Sequence, residues 1–232
     1  MNYKRLLELF WEFSEIITDM HALYLDSVVG YELIHKGLEE YQEEIRKLLG
    51  NDECATQEFQ DTCSIEYKHF SGKDHQLVSM SPVMEQGALR ERVVKNGKNV
   101  HILGNQIVVT AYSYWEDYLR IEIGKAVGVL PANATNTDET REILNREVVS
   151  DFWGDLRHLR NSIVHSHGIA NEKMAKCKTI KWFKPGQPIL LNYEMMKALF
   201  LCMGLYRNEL HKMSLPTPVT LKIPINSTLT QN

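Results

Sequence analysis

The sequence predicts a mainly α-helical protein with one small β-hairpin. Three observations carry that prediction. Apolar residues recur at helical spacing near both ends of the chain and in its middle. Helix-capping side chains stand just before several of those stretches, at Thr137, at Ser150 or Asp151, and at Asn192. Around Pro185-Gly186, two short apolar runs meet at a turn pair.

The elements follow in order. From Tyr3 to Val28, residues Leu6, Leu9, Phe10, Phe13, Ile16, Ile17, Met20, Leu23 and Tyr24 share one side of a helix. Gly30 breaks or bends the run, Tyr31 to Leu49 form a second amphipathic helix, and Gly50-Asn51-Asp52 stops it. Between Asp52 and Asn99 the periodicity weakens, and Ser71-Gly72-Lys73-Asp74 and Asn96-Gly97-Lys98 flank short apolar stretches. A short helix is expected near Gln57 to Tyr67, an irregular or extended stretch near Gln76 to Pro82, and a helix near Glu85 to Lys95. Val100 to Gly128 form a long helix with Ile107, Val108, Ala111, Tyr114, Trp115, Tyr118, Leu119 and Ile123 on a wide apolar face. Pro131 to Thr137 form a loop, and Thr137 caps a helix towards Val149 with Asp138 and Glu139 at its positive end. The next helix starts at Ser150 or Asp151 and stops near Gly168. Thr179 to Phe183 and Gln187 to Leu191 are the expected hairpin strands. Asn192 caps a last helix with Met195, Met196, Leu199, Met203, Tyr206 and Leu210 on one side. Beyond His211, Pro216, Pro218 and Pro224 predict an extended or loose tail. The expected organisation is a helical extension with an irregular connector over 1–99, a helical bundle over 100–212, and a tail over 213–232.

Composition narrows the function. At 232 residues, 44% hydrophobic and 24% charged, the chain can bury a core without disulfide or metal staples. Cys54, Cys63, Cys177 and Cys202 form no C-x-x-C pair, so reduced thiols are expected. The opening MNYKRLLELFWEFSE has no apolar signal core, and with the thiols this predicts a cytoplasmic protein. The best apolar run, Leu23 to Val29, is short and holds Asp26, so no membrane association is expected. Gly124 and Gly128 lack the Lys-Ser/Thr of a phosphate loop. His158, His165, His167 and Cys177 lie close in sequence, but no carboxylate joins them at ligand spacing, so neither metal nor cofactor is expected.

The net charge of −4 argues against indiscriminate coating of nucleic acid, but its distribution is uneven. Residues 1–66 hold 15 acids against 5 Lys/Arg. Arg157 to Lys184 hold 7 Lys/Arg against one acid, Glu172. A phosphate-bearing ligand is drawn to that second window. A solvated basic face is the plainer reading of the same charges.

Asp155 to Gly168, DLRHLRNSIVHSHG, carry the chemistry. On a helix, Phe152, Leu156, Leu159 and Ile163 form the core stripe, while Arg157, His158, Asn161 and His165 lie opposite. Asn161 and His165 are four apart and therefore neighbours, with Arg160 on the shoulder of that face. A guanidinium forks onto phosphate oxygens, an imidazole moves protons near neutral pH, and an amide orients either partner. With RNA, the 2′-hydroxyl is an internal nucleophile, so proton transfer and charge stabilisation suffice. The alternative is structural: histidines in a last helical turn complement exposed carbonyls, and the arginines are surface helix formers. Asn161 fits that alternative least, as a poor interior helix former.

Arg160-Asn161-x-x-x-His165 resembles the signature of the HEPN family, small helical bundles of which many are metal-independent ribonucleases. The helix with Ser113-Tyr-Trp-Glu116 resembles the family's early bundle helix, and the likeness spans roughly Val100 to His211. The resemblance implies an endoribonuclease that leaves 2′,3′-cyclic phosphate and 5′-hydroxyl ends. His165 would be the general base or acid, Arg160 would stabilise the phosphorane-like transition state, and Asn161 would position His165 or the phosphate. Glu116 would orient the Arg or His; Arg157, His167 and Lys181 are further candidate substrate contacts with no motif position behind them. It further implies a homodimer with two motifs on one groove, RNA as substrate, a role as a toxin or in antiviral defence, and a neutralising antitoxin or regulatory protein. Two other readings stay open. One is a non-catalytic HEPN-like module binding a nucleotide, RNA or protein. The other is an interaction protein whose acidic N-terminal helices bind a basic partner.

Overall fold

A computed structural model describes residues 1–50, 53–66 and 83–215. The stretch expected near Gln76 to Pro82 and the tail from Pro216 lie outside the described residues. The chain is mostly helical, as its periodicity predicts. The first helix, α1, is one continuous element, Tyr3–Leu49, where the sequence suggested two. Gly30 stays in it, at a propensity cost of about 1 kcal/mol. One such cost does not interrupt a hydrogen-bond ladder of 47 residues.

The chain forms two compact units: Leu23–Leu103, and Met1–Ala22 together with the chain from Gly104 onward. The first turns of α1 therefore share a core with the later helices, where the sequence reading set 1–99 apart.

In the Leu23–Leu103 unit, α2 is Gln57–Thr62, capped by Thr56 Oγ1, which accepts from Phe59 N–H at 3.3 Å. It ends earlier than expected because the chain turns into β1, Ser64–Ile65, which pairs antiparallel with β2, Met84–Glu85. Helix α3, Gln86–Val93, follows close to the expected place. Leu38, Ile65, Leu89 and Val93 form the core. A polar knot covers it: Gln42 bonds Gln86 at 2.7 Å, and Arg90 reaches Asp61 at 2.8 Å.

The second unit holds α4 (Lys98–Tyr114), a π-turn (Trp115–Leu119), α5 (Arg120–Val127), α6 (Asp138–Glu147), α7 (Asp151–His165), a short 3-10 turn (Glu172–Lys176) and α8 (Tyr193–Met213). Of α4, the part from Gly104 belongs here. Thr137 caps α6 by accepting from Thr140 N–H at 3.2 Å, and Asn192 caps α8 by accepting from Met195 N–H at 2.9 Å. Gly128 closes α5 at φ 87°, a left-handed position that glycine takes without a Cβ penalty.

Aromatic rings hold four of these helices together. Trp115 stacks on Trp153 with centroids 4.8 Å apart and planes 7° from parallel. Tyr206 of α8 meets both edge-on, at 5.0 and 5.7 Å, and Phe13 of α1 closes on Tyr206 at 5.9 Å. Such pairs add about 0.5–1.5 kcal/mol each beyond the area they bury.

The hairpin expected over Thr179–Phe183 and Gln187–Leu191 does not form. The turn at Gly186 is present, at φ 84°, but the strand after it pairs elsewhere. Ala170 N–H bonds Gln187 O at 2.8 Å, Gly186 N–H bonds Ala170 O at 2.8 Å, and Ile189 N–H bonds Gly168 O at 2.7 Å. The other half is held by α7 instead. The buried Asp155 carboxylate accepts from the backbone N–H groups of Lys178, Thr179 and Ile180. A segment whose donors go to a carboxylate has none left for a partner strand.

Removing this carboxylate leaves three backbone donors without an acceptor. Each lost bond in a buried setting costs about 1–3 kcal/mol. Asp155→Ala should therefore lower stability by at least about 3 kcal/mol, read as a lower urea midpoint at unchanged m-value.

Candidate functional site

Helix α7 is amphipathic in the way its sequence predicts. Phe152, Leu156 and Leu159 are fully buried, and Arg157 and His165 are exposed. Near the C-terminal end of the helix the motif residues converge. Arg160 Nη1 lies 2.8 Å from His165 Nε2 and donates to Asn161 Oδ1 at 3.1 Å. The five-residue separation suffices because the long arginine side chain leans along the helix. A guanidinium only donates, so this contact uses the lone pair of Nε2. Arg160 Nε is buried and has no hydrogen-bond partner, which leaves a donor unused beside the motif.

The helix ends where the motif does. Ser166 and Gly168 N–H both reach the carbonyl of Ser162, at 3.2 and 3.1 Å. His167 at φ 51° and Gly168 at φ 77° turn the chain away. Ser162, fully buried, ties the turn down: its hydroxyl donates to His158 O at 3.0 Å and accepts from Asn171 N–H at 3.1 Å.

A cavity of about 240 Å³ adjoins the motif. Arg157, Arg160 and Asn161 of α7 form one wall, Tyr112 and Ser113 of α4 with Glu116 and Asp117 of the π-turn another, and Arg141 of α6 a third. The π-turn matters here. Arg120 N–H bonds Trp115 O, five residues back, and the widened turn carries Glu116 and Asp117. Glu116 accepts from Arg120 Nη1 at 3.2 Å, and Asp117 accepts from Asn136 at 2.7 Å. Arg141 is held by Asn136 and Asp138. Arg157 has no carboxylate partner among the described residues. Burial, aided by the Glu116 charge, pushes the Tyr112 hydroxyl far above its ordinary range, so it stays a neutral donor.

Of the residues singled out in the sequence, Arg160, Asn161 and His165 come into direct contact, and Arg157 and Glu116 line the adjoining cavity. His167 and Lys181 are exposed and line neither that cavity nor its neighbour. Lys173, Lys176, Lys178 and Lys184 are exposed too, and Lys178 pairs with Asp151 at 2.7 Å. Tyr112 was legible, because it sits four residues before Glu116 on the same helix. Arg141 carried no local signal, since only tertiary packing brings α6 to the cavity.

His158, within this helix, titrates unusually. Burial lowers its pKa from the ordinary 6.5, and Arg157 adds to the effect. The unfolded chain therefore takes up this proton first. The stabilising contribution is complete above the ordinary value and is lost as pH falls through the folded one. His158→Gln should accordingly flatten the fall in thermal midpoint between neutral pH and about pH 5. Equal slopes in variant and wild type would show that other groups govern that fall.

Among the described residues, no group of three or more His, Cys, Asp and Glu side chains is placed to hold a metal ion, and no helix is long and apolar enough to cross a membrane. Comparison with protein-family models, with curated proteins and with solved structures finds no match, so the residues themselves carry the functional reading.

Proposed function

We propose that this protein is a metal-independent RNA endonuclease of the HEPN type. The observation that supports it best is the 2.8 Å approach of Arg160 Nη1 to His165 Nε2, with Asn161 on the same guanidinium. An acceptor nitrogen and a fixed cation stand together, as cleavage through the 2′-hydroxyl requires. Arg160 Nη1 shifts from His165 Nε2 onto the phosphate oxygens, the freed Nε2 takes the proton of the 2′-hydroxyl, and the 2′-oxygen attacks the adjacent phosphorus. The bond from phosphorus to the 5′-oxygen then breaks. One strand end keeps a 2′,3′-cyclic phosphate, and the other leaves with a protonated 5′-hydroxyl. Arg160 meets the charge that builds on the phosphorane oxygens. Asn161 holds the guanidinium in register, and Arg157 draws the neighbouring phosphate. In a homodimer, the second copy's protonated His165 supplies the leaving group's proton. A toxin or defence role, held in check by an antitoxin, is the biological setting that this chemistry suits.

One observation favours a second reading, a module that binds RNA or a nucleotide without turnover. Arg160 spends one nitrogen on two neighbours of its own helix, and a bound phosphate would have to share it.

The deciding experiment is cleavage of an RNA strand and its DNA copy by purified protein in EDTA. Wild type should cut only the RNA and leave cyclic phosphate ends. His165→Ala should lose roughly 10²–10⁴-fold in rate with its circular dichroism unchanged. Arg160→Ala should lose at least about 100-fold. A His165→Ala protein that cuts as fast as wild type refutes the assignment, and a folded wild type that binds RNA without cutting it supports the second reading.

A further inference from the structure

A second cavity, of about 330 Å³, opens beside the first. It falls within the range of small-ligand sites, about 300–1,000 Å³. Tyr112, Glu116 and Arg157 line both, so the two are lobes of one groove along α7. The far lobe reaches Gly154, six residues before Arg160, a distance of about 9 Å along the helix axis.

Its chemistry differs from that at the motif. The buried rings of Tyr112, Trp115 and Trp153 contribute to its lining. The rest is polar: Arg157, with no carboxylate partner among the described residues, stands at the junction with the first lobe, and the other charges pair off. Arg120, almost fully buried, is paired with Glu116 at 3.2 Å, donates to Asn145 Oδ1 at 3.0 Å and holds Val148 O at 3.1 Å. A bare anion meets the Glu116 carboxylate there, and an apolar ligand strands the pair. The Glu116 carboxylate only accepts, while Asn145, its oxygen taken by Arg120, offers its amide N–H groups. An acceptor beside a donor complements the edge of a planar heterocycle. Ser150 and Trp153, also in this lobe, each carry a buried polar atom with no partner.

We propose that this lobe is a base pocket, which takes one unpaired nucleobase of the strand whose phosphate lies at Arg160. The pocket gives the groove a sequence preference that the motif alone does not have. This rests on the RNA reading above, yet the pocket is testable without cleavage. Gly154 allows the test. It lines the lobe, and a Cβ there has no heavy atom within 4 Å, so Gly154→Leu adds bulk to the lobe from a Cβ that stands in open space. Leucine is also a better helix former than glycine.

The experiment titrates AMP, GMP, CMP and UMP against the tryptophan fluorescence of the full chain and, separately, maps the cleavage positions on an RNA of mixed sequence. For wild type, the expectation is saturable quenching that ranks the four bases, with cleavage biased towards the best of them. In Gly154→Leu the quenching should weaken by at least about tenfold, one pKd unit or 1.4 kcal/mol, and the cleavage bias should flatten. Glu116→Gln, which preserves shape and exchanges a pure acceptor for an amide, should change the ranking. Binding and cleavage bias that are the same in both variants as in wild type overturn the pocket, as does a wild type that none of the four nucleotides quenches. Base-ranked binding that Gly154→Leu abolishes, in a wild type that cuts no RNA, keeps the pocket and removes the endonuclease. Cleavage whose bias Gly154→Leu leaves intact does the reverse.

Discussion

The stack of Trp115 on Trp153 decides where the chemistry of this protein can stand. One ring belongs to the π-turn and the other to the first half of α7, so their contact fixes the angle at which those elements meet. Glu116 follows Trp115 directly, and Arg157 lies one helical turn beyond Trp153. Both are therefore carried to the groove by the packing of buried neighbours. Tyr206 and Phe13 complete the ring cluster from α8 and α1. A site whose walls are extensions of a dense aromatic core has little freedom to deform, which suits preorganised charge.

The charges divide along the same groove. Glu116 engages the buried Arg120, so that end of the groove carries a neutral pair. Towards His165 the guanidiniums of Arg157 and Arg160 have no carboxylate partner among the described residues. A polyanion entering from solvent meets uncompensated cations at the motif and hydrogen-bonding groups beyond it. Asp155 serves the arrangement from below. By drawing in the N–H groups of residues 178–180, it holds the basic segment against the rear of α7, away from the groove.

Much of this was legible in the sequence, and the failures have physical reasons. The caps at Thr137 and Asn192, the buried face of α8 and the polar face of α7 follow from local chemistry, and the structure has them. The break at Gly30 was overread, because a single glycine is a weak signal against flanking turns that favour helix. The hairpin at 179–191 was misplaced because alternation and a Pro-Gly turn are compatible with any edge partner, and the winning partners, Asp155 and residues 168–170, are tertiary. The π-turn had no visible signature, since one extra residue in a helix changes no cap and little periodicity. Arg120, Arg141 and Asn145 entered the groove for the same reason: their sequence neighbours say nothing about which helix they will face.

The Arg160–His165 contact bears on how many chains the proposed reaction needs. Arg160 Nη1 occupies the lone pair of His165 Nε2, so the contact has to open before that nitrogen can take a proton. The same ring cannot at that moment hold the proton that the leaving 5′-oxygen must gain. Arg160 does not give one up, because a guanidinium stays charged at any pH the fold survives. Tyr112 is a poor donor for this purpose, because burial makes its phenolate costly. On the proposed chemistry, the acid therefore comes from solvent or from a second copy of the motif across a two-fold axis. Water supplies that proton slowly, whereas a second histidine whose own arginine contact has opened has a ring nitrogen that can deliver one. Two identical helices then divide the work: in each the arginine leaves its histidine, in one so that the ring takes the 2′-hydroxyl proton and in the other so that the ring gives a proton to the 5′-oxygen. The Arg160–His165 contact is thus the element whose opening would free both histidines for the proposed reaction.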